Sequence, residues 1–430
     1  MRIRLAYGRK GLWIELDDTW PVTIVEPHYI PGLADPSLAL TAALRQPISM
    51  PPLRELVRPG HRIGIVFSDI TRPAPNRLIL PVLLAELSHV PRTHITLFNA
   101  LGTHRRNSEA ELRAMLGDDP VDGYRIVQND AFVTETQVFL GTTSRGHPIW
   151  INREIAACDV KILTGFIEPH FFAGFSGGGK AIMPGMAGQA TVLGNHDAGM
   201  IADRHATWGV TRGNPIWEEI TEVAQTVGGA FLVNVTLNRE REMTAVFAGD
   251  LEAAHGAGCA FARKAAMVPV DEPFDVVLTT NSGYPLDLNL YQTVKGMSAA
   301  AQVVREGGAI LAAADCWDGI PDHGLYGKLL RAARNPKHLL ETITAPGFLK
   351  QDQWQAQIQA QIQIKADVHV YSDNLTDEQI RGALLKPCRG IEAMIGKQLA
   401  EKGPRATLCV LPDGPQTIPY IETKSKIGDV

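Results

Sequence analysis

A histidine, three consecutive glycines and a lysine follow one another in His170-Phe171-Phe172-Ala173-Gly174-Phe175-Ser176-Gly177-Gly178-Gly179-Lys180. They come directly after an apolar run, 160–166, that reads as a buried strand. Glycine lets backbone approach a ligand closely, and a helix starting near Lys180 would present free N–H groups to an anion. The stretch therefore reads as a ligand-holding loop at the carboxyl end of a strand, where open α/β sheets bind small molecules. Three motifs compete for it. Gly174 to Gly178 fits G-x-S-x-G, the turn that exposes a nucleophilic serine. Gly174 to Lys180 fits most of a phosphate loop, but Ala181 stands where the magnesium-binding Ser or Thr belongs. The third reading makes Lys180 a covalent attachment point or ammonium donor, with His170 and His196 turned into the same cleft.

Further polar groups gather where other strands should end. Ser68-Asp69-Ile70-Thr71-Arg72-Pro73 offers a guanidinium that could fork onto a carboxylate or phosphate, with Asp69 and Thr71 to orient a polyhydroxyl ligand. Leu101-Gly102-Thr103-His104-Arg105 places a candidate acid/base after a glycine, and Asn195-His196-Asp197 adds another imidazole. Histidines so widely separated match no compact zinc signature, which makes a metal plausible without saying which. In 289–295 a helix opens with Tyr291, Gln292 and Lys295, and Tyr291 and Lys295 stand one turn apart on one face. A lysine near a helix start suits an anionic substrate. Trp354 reads by composition as a core residue, and His61, His94, His147, His205, His255, His323, His338 and His369 as structural or surface residues.

The elements that must position these groups follow a regular pattern. Strands at 61–67, 94–99, 124–128, 160–166 and 230–237 alternate with helices at 76–87, 108–116 and 215–227, which describes a mainly parallel sheet covered on both faces. Residues 1–50 read as a β-hairpin with an extended arm and a short helix, and 138–151 as a hairpin inserted into the sheet. The passage 268–273, with two prolines, marks a domain boundary. Beyond it come strands at 274–280, 308–313, 367–371 and 406–411, with helices at 290–305 and from 326 and 351. The expectation is an α/β protein of two domains, 1–270 and 271–430, with mainly parallel sheets and an active-site cleft between them. A net charge of −5 and the lack of a basic run argue against nucleic-acid binding. Five widely spaced cysteines without a C-x-x-C indicate neither a disulfide framework nor a thiolate metal site. With no apolar leader and no stretch of 18 apolar residues, a cytoplasmic enzyme with no membrane partner is expected.

Taken together, the loops 68–73, 101–104, 168–180, 194–197, 291–296 and 353–355 resemble, in order and over nearly the whole chain, the lactate racemase family. These are 2-hydroxyacid racemases and epimerases that use a covalently tethered nickel-pincer nucleotide. The resemblance implies that Lys180 carries the cofactor and that His196 is its nickel ligand. It implies His104 and His170 as the pair of catalytic bases. Arg72, Tyr291, Gln292, Lys295 and Trp354 match substrate positions, while Asp69, Thr71, Ser176, Gly177 and Gly178 lie in loops that hold the cofactor. The implied reaction removes the hydrogen on C2 as hydride while a base takes the hydroxyl proton, because a hydrogen alpha to a hydroxyl is poorly acidic. Tyr291 and Trp354 would crowd the pocket and incline the reading to lactate or another short acid over a malate-like or sugar acid. Cofactor-synthesis proteins are implied partners, and a homo-oligomer is compatible with the sequence. A serine hydrolase, a three-histidine metallohydrolase and a non-catalytic organic-acid binder are the competing classes.

Overall fold

The computed structural model describes residues 1–322 and 324–422, so His323 lies outside the described residues. They fall into two compact α/β units. The lysine-bearing unit comprises Tyr29–His196 and Asp203–Ala265; the C-terminal unit comprises Met1–His28, Asp197–Ala202 and the chain from Ala266 onward.

Two segments depart from the linear division at residue 270. Met1–His28 belongs with the C-terminal unit because Val22–Ile24 pairs in parallel with Leu408–Leu411, and because Ile3, Leu5, Ile14 and Leu16 alternate into that unit's core. Asp197–Ala202 joins it through the short Ala198–Ala202 helix, whose Ala198 carbonyl accepts from Gln357 Nε2 at 2.8 Å.

The lysine-bearing unit holds a six-stranded sheet in the order Met243–Gly249, Ala230–Leu237, Val160–Phe166, Ile63–Ser68, Ile95–Ala100, Arg125–Gln128. Only Met243–Gly249 runs antiparallel. From Ile63–Ser68 the chain winds outward through two strands, then returns to lay Val160–Phe166 on the other side. Strand order reverses there, and the carboxyl ends of these two strands flank the crevice such a reversal opens. All seven residues of Val160–Phe166 are buried, as a strand covered on both faces requires.

The C-terminal unit repeats the plan with six parallel strands, ordered Lys386–Pro387, Asp367–Tyr371, Val304–Ala313, Phe274–Thr280, Leu408–Leu411, Val22–Ile24. Its order reverses between Phe274–Thr280 and Leu408–Leu411.

Several local expectations change. The 138–151 hairpin is a separate antiparallel pair, Gln137–Thr142 with Pro148–Asn152, and does not enter the main sheet. No α-helix starts at Lys180. Gly178–Ala181 makes one 3-10 turn, because a glycine run disfavours helix and Pro184 has no N–H to continue one. The helix read as 290–305 stops at Ala301, and after a turn the β-branched Val304 opens a ten-residue strand instead. The cysteines among the described residues are free, and no helix there is long and apolar enough to cross a membrane.

Candidate active site

The loop after Ile63–Ser68 and the loop after Ile95–Ala100 meet through a side-chain hydrogen bond between Asp69 and His104. Asp69 is 3% exposed, and its Oδ2 lies 2.8 Å from His104 Nδ1 while Thr71 Oγ1 donates to its Oδ1 at 2.8 Å. Burial opposes ionisation of Asp69. The hydrogen bond from His104, the charges of His104 and Arg72, and the Thr71 bond outweigh it and hold the carboxyl below its ordinary range. An ionised Asp69 accepts a hydrogen bond from His104 Nδ1–H and leaves His104 Nε2 as the face open to chemistry. His104 itself is exposed, as a proton-transferring group must be, and Arg72 is half-buried beside the pair.

His170 follows Val160–Phe166 and is held differently. Its Nδ1 accepts from the backbone N–H of Ala173 at 3.2 Å and of Phe172 at 3.5 Å, within a tight hairpin of Pro169–His170 with Gly174–Phe175.

Phe172 gathers three of the expected residues. Its ring meets the His170 ring edge-on at 4.5 Å and the His196 ring at 5.0 Å, and Lys180 Nζ lies 5.5 Å from its centroid. His196 caps the Gln189–Asn195 helix and is 4% exposed. Burial first, and the Lys180 charge second, push it down to about 3, so it is a neutral nitrogen donor at any working pH.

The glycine run is explained by what surrounds it. A Cβ on Gly177 would meet Asn234 Oδ1 at 2.4 Å, one on Gly178 the His255 ring at 2.8 Å, and one on Gly179 the Ile220 carbonyl and Ala224 at 3.1 Å. Ser176 is absorbed by the loop: its Oγ donates to the Phe166 carbonyl at 2.9 Å and accepts from Glu168 N–H at 3.0 Å. A hydroxyl so committed is not an activated nucleophile, and the nearby His255 binds the Ser176 carbonyl instead. Among the described residues no three His, Cys, Asp or Glu side chains converge, which leaves a three-histidine hydrolase without a ligand set.

In the C-terminal unit the Leu290–Ala301 helix is capped by Asn289, whose side chain accepts from Gln292 N–H at 3.1 Å. Its residues are buried except Ala301 at the end and one edge near the start, where Tyr291, Gln292 and Lys295 are half-buried. Trp354 is 6% exposed, and its Nε1 donates to Tyr291 Oη at 3.1 Å, while Gln355 Nε2 donates to the Tyr291 carbonyl. The tryptophan is core packing and a support for Tyr291 at once.

Sequence reading misses three supports. Asn234 accepts from Gly178 N–H at 2.8 Å, and its one signal is a lone amide in the buried run Ala230–Leu237. His255 and the buried Glu219 have none. Glu219 accepts from Thr143 Oγ1 at 2.6 Å, His147 Nδ1 at 2.8 Å and Asn195 Nδ2 at 2.8 Å, which fixes the residue next to His196.

Comparison with known proteins identifies the family. Residues 7–209 match the lactate racemase N-terminal domain and residues 270–418 the lactate racemase C-terminal domain. The chain is 34% identical over 424 residues to a lactate racemase of Thermoanaerobacterium thermosaccharolyticum, covering 97% of this chain and 98% of that protein. It is 37% identical over 375 residues to a lactate racemase of Lactiplantibacillus plantarum, covering 86% and 88%. The solved lactate racemase apoprotein from T. thermosaccharolyticum superposes with a TM-score of 0.90 at 32% identity, over 97% of this chain and all of that one. A Thermotoga maritima protein shares the fold, with a TM-score of 0.70 at 18% identity.

Proposed function

This chain belongs to the lactate racemase family and is a racemase, and we propose that it inverts C2 of a short 2-hydroxy acid, lactate or one of similar size, with a nickel-pincer nucleotide tethered to Lys180. The observation that carries the reading is the joint contact of Phe172 with His170, His196 and Lys180, beside a loop whose His104 is backed by a buried carboxylate.

The residues fit such a cofactor. Lys180 supplies an amine for a covalent bond, and the neutral imidazole of His196 shares its aromatic wall and offers a nitrogen to a metal that arrives already held by a ring. When bound, the group supplies a hydride acceptor and donor, the step that side chains cannot perform. The protein's own work is then proton transfer and orientation. His104 Nε2 takes the hydroxyl proton of one enantiomer, because Nδ1 is committed to Asp69, and acts as the acid when the reaction runs the other way. His170 does the same for the opposite enantiomer, whose hydroxyl lies on the other side. With the group bound, removal of the C2 hydrogen as hydride and of the hydroxyl proton by a histidine would leave a planar 2-keto acid. In the lysine-bearing unit Arg72 is the candidate to hold its carboxylate while the rest reorients, and in the C-terminal unit Lys295, Tyr291, Gln292 and Trp354 are the candidates to bind substrate.

Two measurements test this. Chain produced together with the cofactor-synthesis proteins is expected to carry extra mass on the peptide containing Lys180. In deuterium oxide the C2 hydrogen is expected to stay with the substrate through many inversions; rapid deuterium entry at C2 would mean proton abstraction and would refute the hydride path.

A further inference from the structure

The residues 176–180 form a loop of three glycines with only the single 3-10 turn Gly178–Ala181 to order it, so its shape is imposed by neighbours. Three elements impose it. Asn234, from the Ala230–Leu237 strand, accepts the Gly178 N–H and is itself fixed by donating to the Val233 and Leu163 carbonyls at 3.0 and 3.3 Å. The Pro215–Val227 helix closes over Gly179. His255, from the Leu251–Ala266 helix, is 3% exposed, lies against Gly178, stacks on Trp217 at 13° with centroids 6.3 Å apart, and bonds the Ser176 carbonyl through Nε2 at 2.8 Å. A carbonyl can only accept, so Nε2 carries the proton and the ring's tautomer is set by this bond.

We propose that His255 is a positioning residue for Lys180: its Nε2–H grips the Ser176 carbonyl and, with Asn234, sets the backbone from which the lysine reaches its electrophile. The assignment rests on Lys180 as the tether, and it makes His255 part of cofactor attachment although it touches neither substrate nor cofactor. A core histidine with no such role could be exchanged for an apolar residue of similar size without loosening the loop.

The test compares His255→Leu with His255→Gln in the full-length chain, because a glutamine amide nitrogen reaches the Nε2 position and can donate to the same carbonyl. Amide hydrogen exchange of the peptide spanning 176–181 is expected to quicken by about five- to tenfold in the leucine variant, the factor one lost hydrogen bond supplies. It is expected to return to the parental rate with glutamine. At limiting cofactor, the fraction of chains with added mass on Lys180 falls by a similar factor for leucine and recovers for glutamine. Should the leucine variant not fold, His255→Asn, whose amide ends short of the carbonyl, takes its place. Parental exchange in the leucine or asparagine variant, or glutamine as loose as leucine, overturns the role of His255. A parental chain that never gains mass on Lys180 sinks the tether reading instead, while the exchange measurement still decides on His255.

Discussion

The two units are built on one plan and use it in opposite ways. Each has six strands whose order reverses near the middle, and each therefore should open a crevice at the carboxyl ends of two strands. In the lysine-bearing unit the loops at that point carry Asp69, Arg72 and His170, with His104 one strand away. In the C-terminal unit the same place is closed by the chain itself. Ser282 Oγ donates to the Asp413 carbonyl at 2.8 Å, Ala6 N–H to the Pro412 carbonyl at 2.9 Å, and Tyr284 N–H to the Gly8 carbonyl at 2.9 Å. Gly8 N–H in turn donates to the buried Asp287 at 2.7 Å. Loops that satisfy one another leave nothing for a ligand, and this unit contributes candidates through a helix start instead. The fold permits a site at a reversal; the commitment of loop hydrogen bonds decides whether one exists.

The contrast predicts where substitutions cost activity and where they cost only stability. Lys180→Ala is expected to have the largest effect, with racemisation at background and no added mass on the chain, while the melting temperature stays close to the parent. Retained turnover would break the comparison at its chemical end. His104→Ala and Asp69→Asn come next, each lowering kcat by about 10²- to 10⁴-fold, because a proton-transfer group is lost or its tautomer is no longer fixed. Steady-state rates in both directions check this, and an Asp69→Asn enzyme at the parental rate would remove Asp69 from the site.

In the closed crevice the expected loss is of another kind. Gly8 has φ of +48°, and a Cβ there would meet Asp315 Oδ2 at 2.9 Å. Gly8→Ala should destabilise the protein by about 1–2 kcal/mol, measured by denaturant melts, with kcat per folded molecule unchanged. A fall in kcat would show that the N-terminal plug is coupled to chemistry and that the two crevices are less different than their loops suggest.

Much of this is legible in the order of the amino acids. The apolar run 160–166 announces a buried strand, and the polar clusters after it and after 63–68 announce strand-end loops. What stays hidden is pairing across long separations. Asp69 and His104 are 35 residues apart, Ser176 and His255 79 apart, and only the packing of the elements between them brings each pair together. Val22–Ile24 is too short to announce which sheet it joins, and its partner Leu408–Leu411 lies at the far end of the chain. Periodicity reports which face of an element is buried, not what it is buried against.

Buried histidines sharpen the comparison with the smallest effect. In the lysine-bearing unit His196 and His255 serve the loop and helix that deliver Lys180 and His196 itself. In the C-terminal unit His369, on Asp367–Tyr371, is 6% exposed and neither ring nitrogen has a partner among the described residues. Burial first, then the Lys386 charge and after it that of Lys397, push its pKa below the ordinary 6.5, against the opposing charges of Asp367 and Glu401. The unfolded chain therefore binds a proton on this ring before the folded one does. Its contribution is full above about 6.5 and is lost as pH falls toward the lowered folded value. His369→Leu removes an unpaired polar group as well as this penalty. It should be between neutral and about 1 kcal/mol more stable near neutral pH, with a larger advantage at about pH 5, and unchanged in turnover. Urea melts at the two pH values decide the matter. A variant less stable than the parent at both would mean that His369 has a hydrogen-bonding duty in its unit, and that the C-terminal sheet hides a polar function of its own.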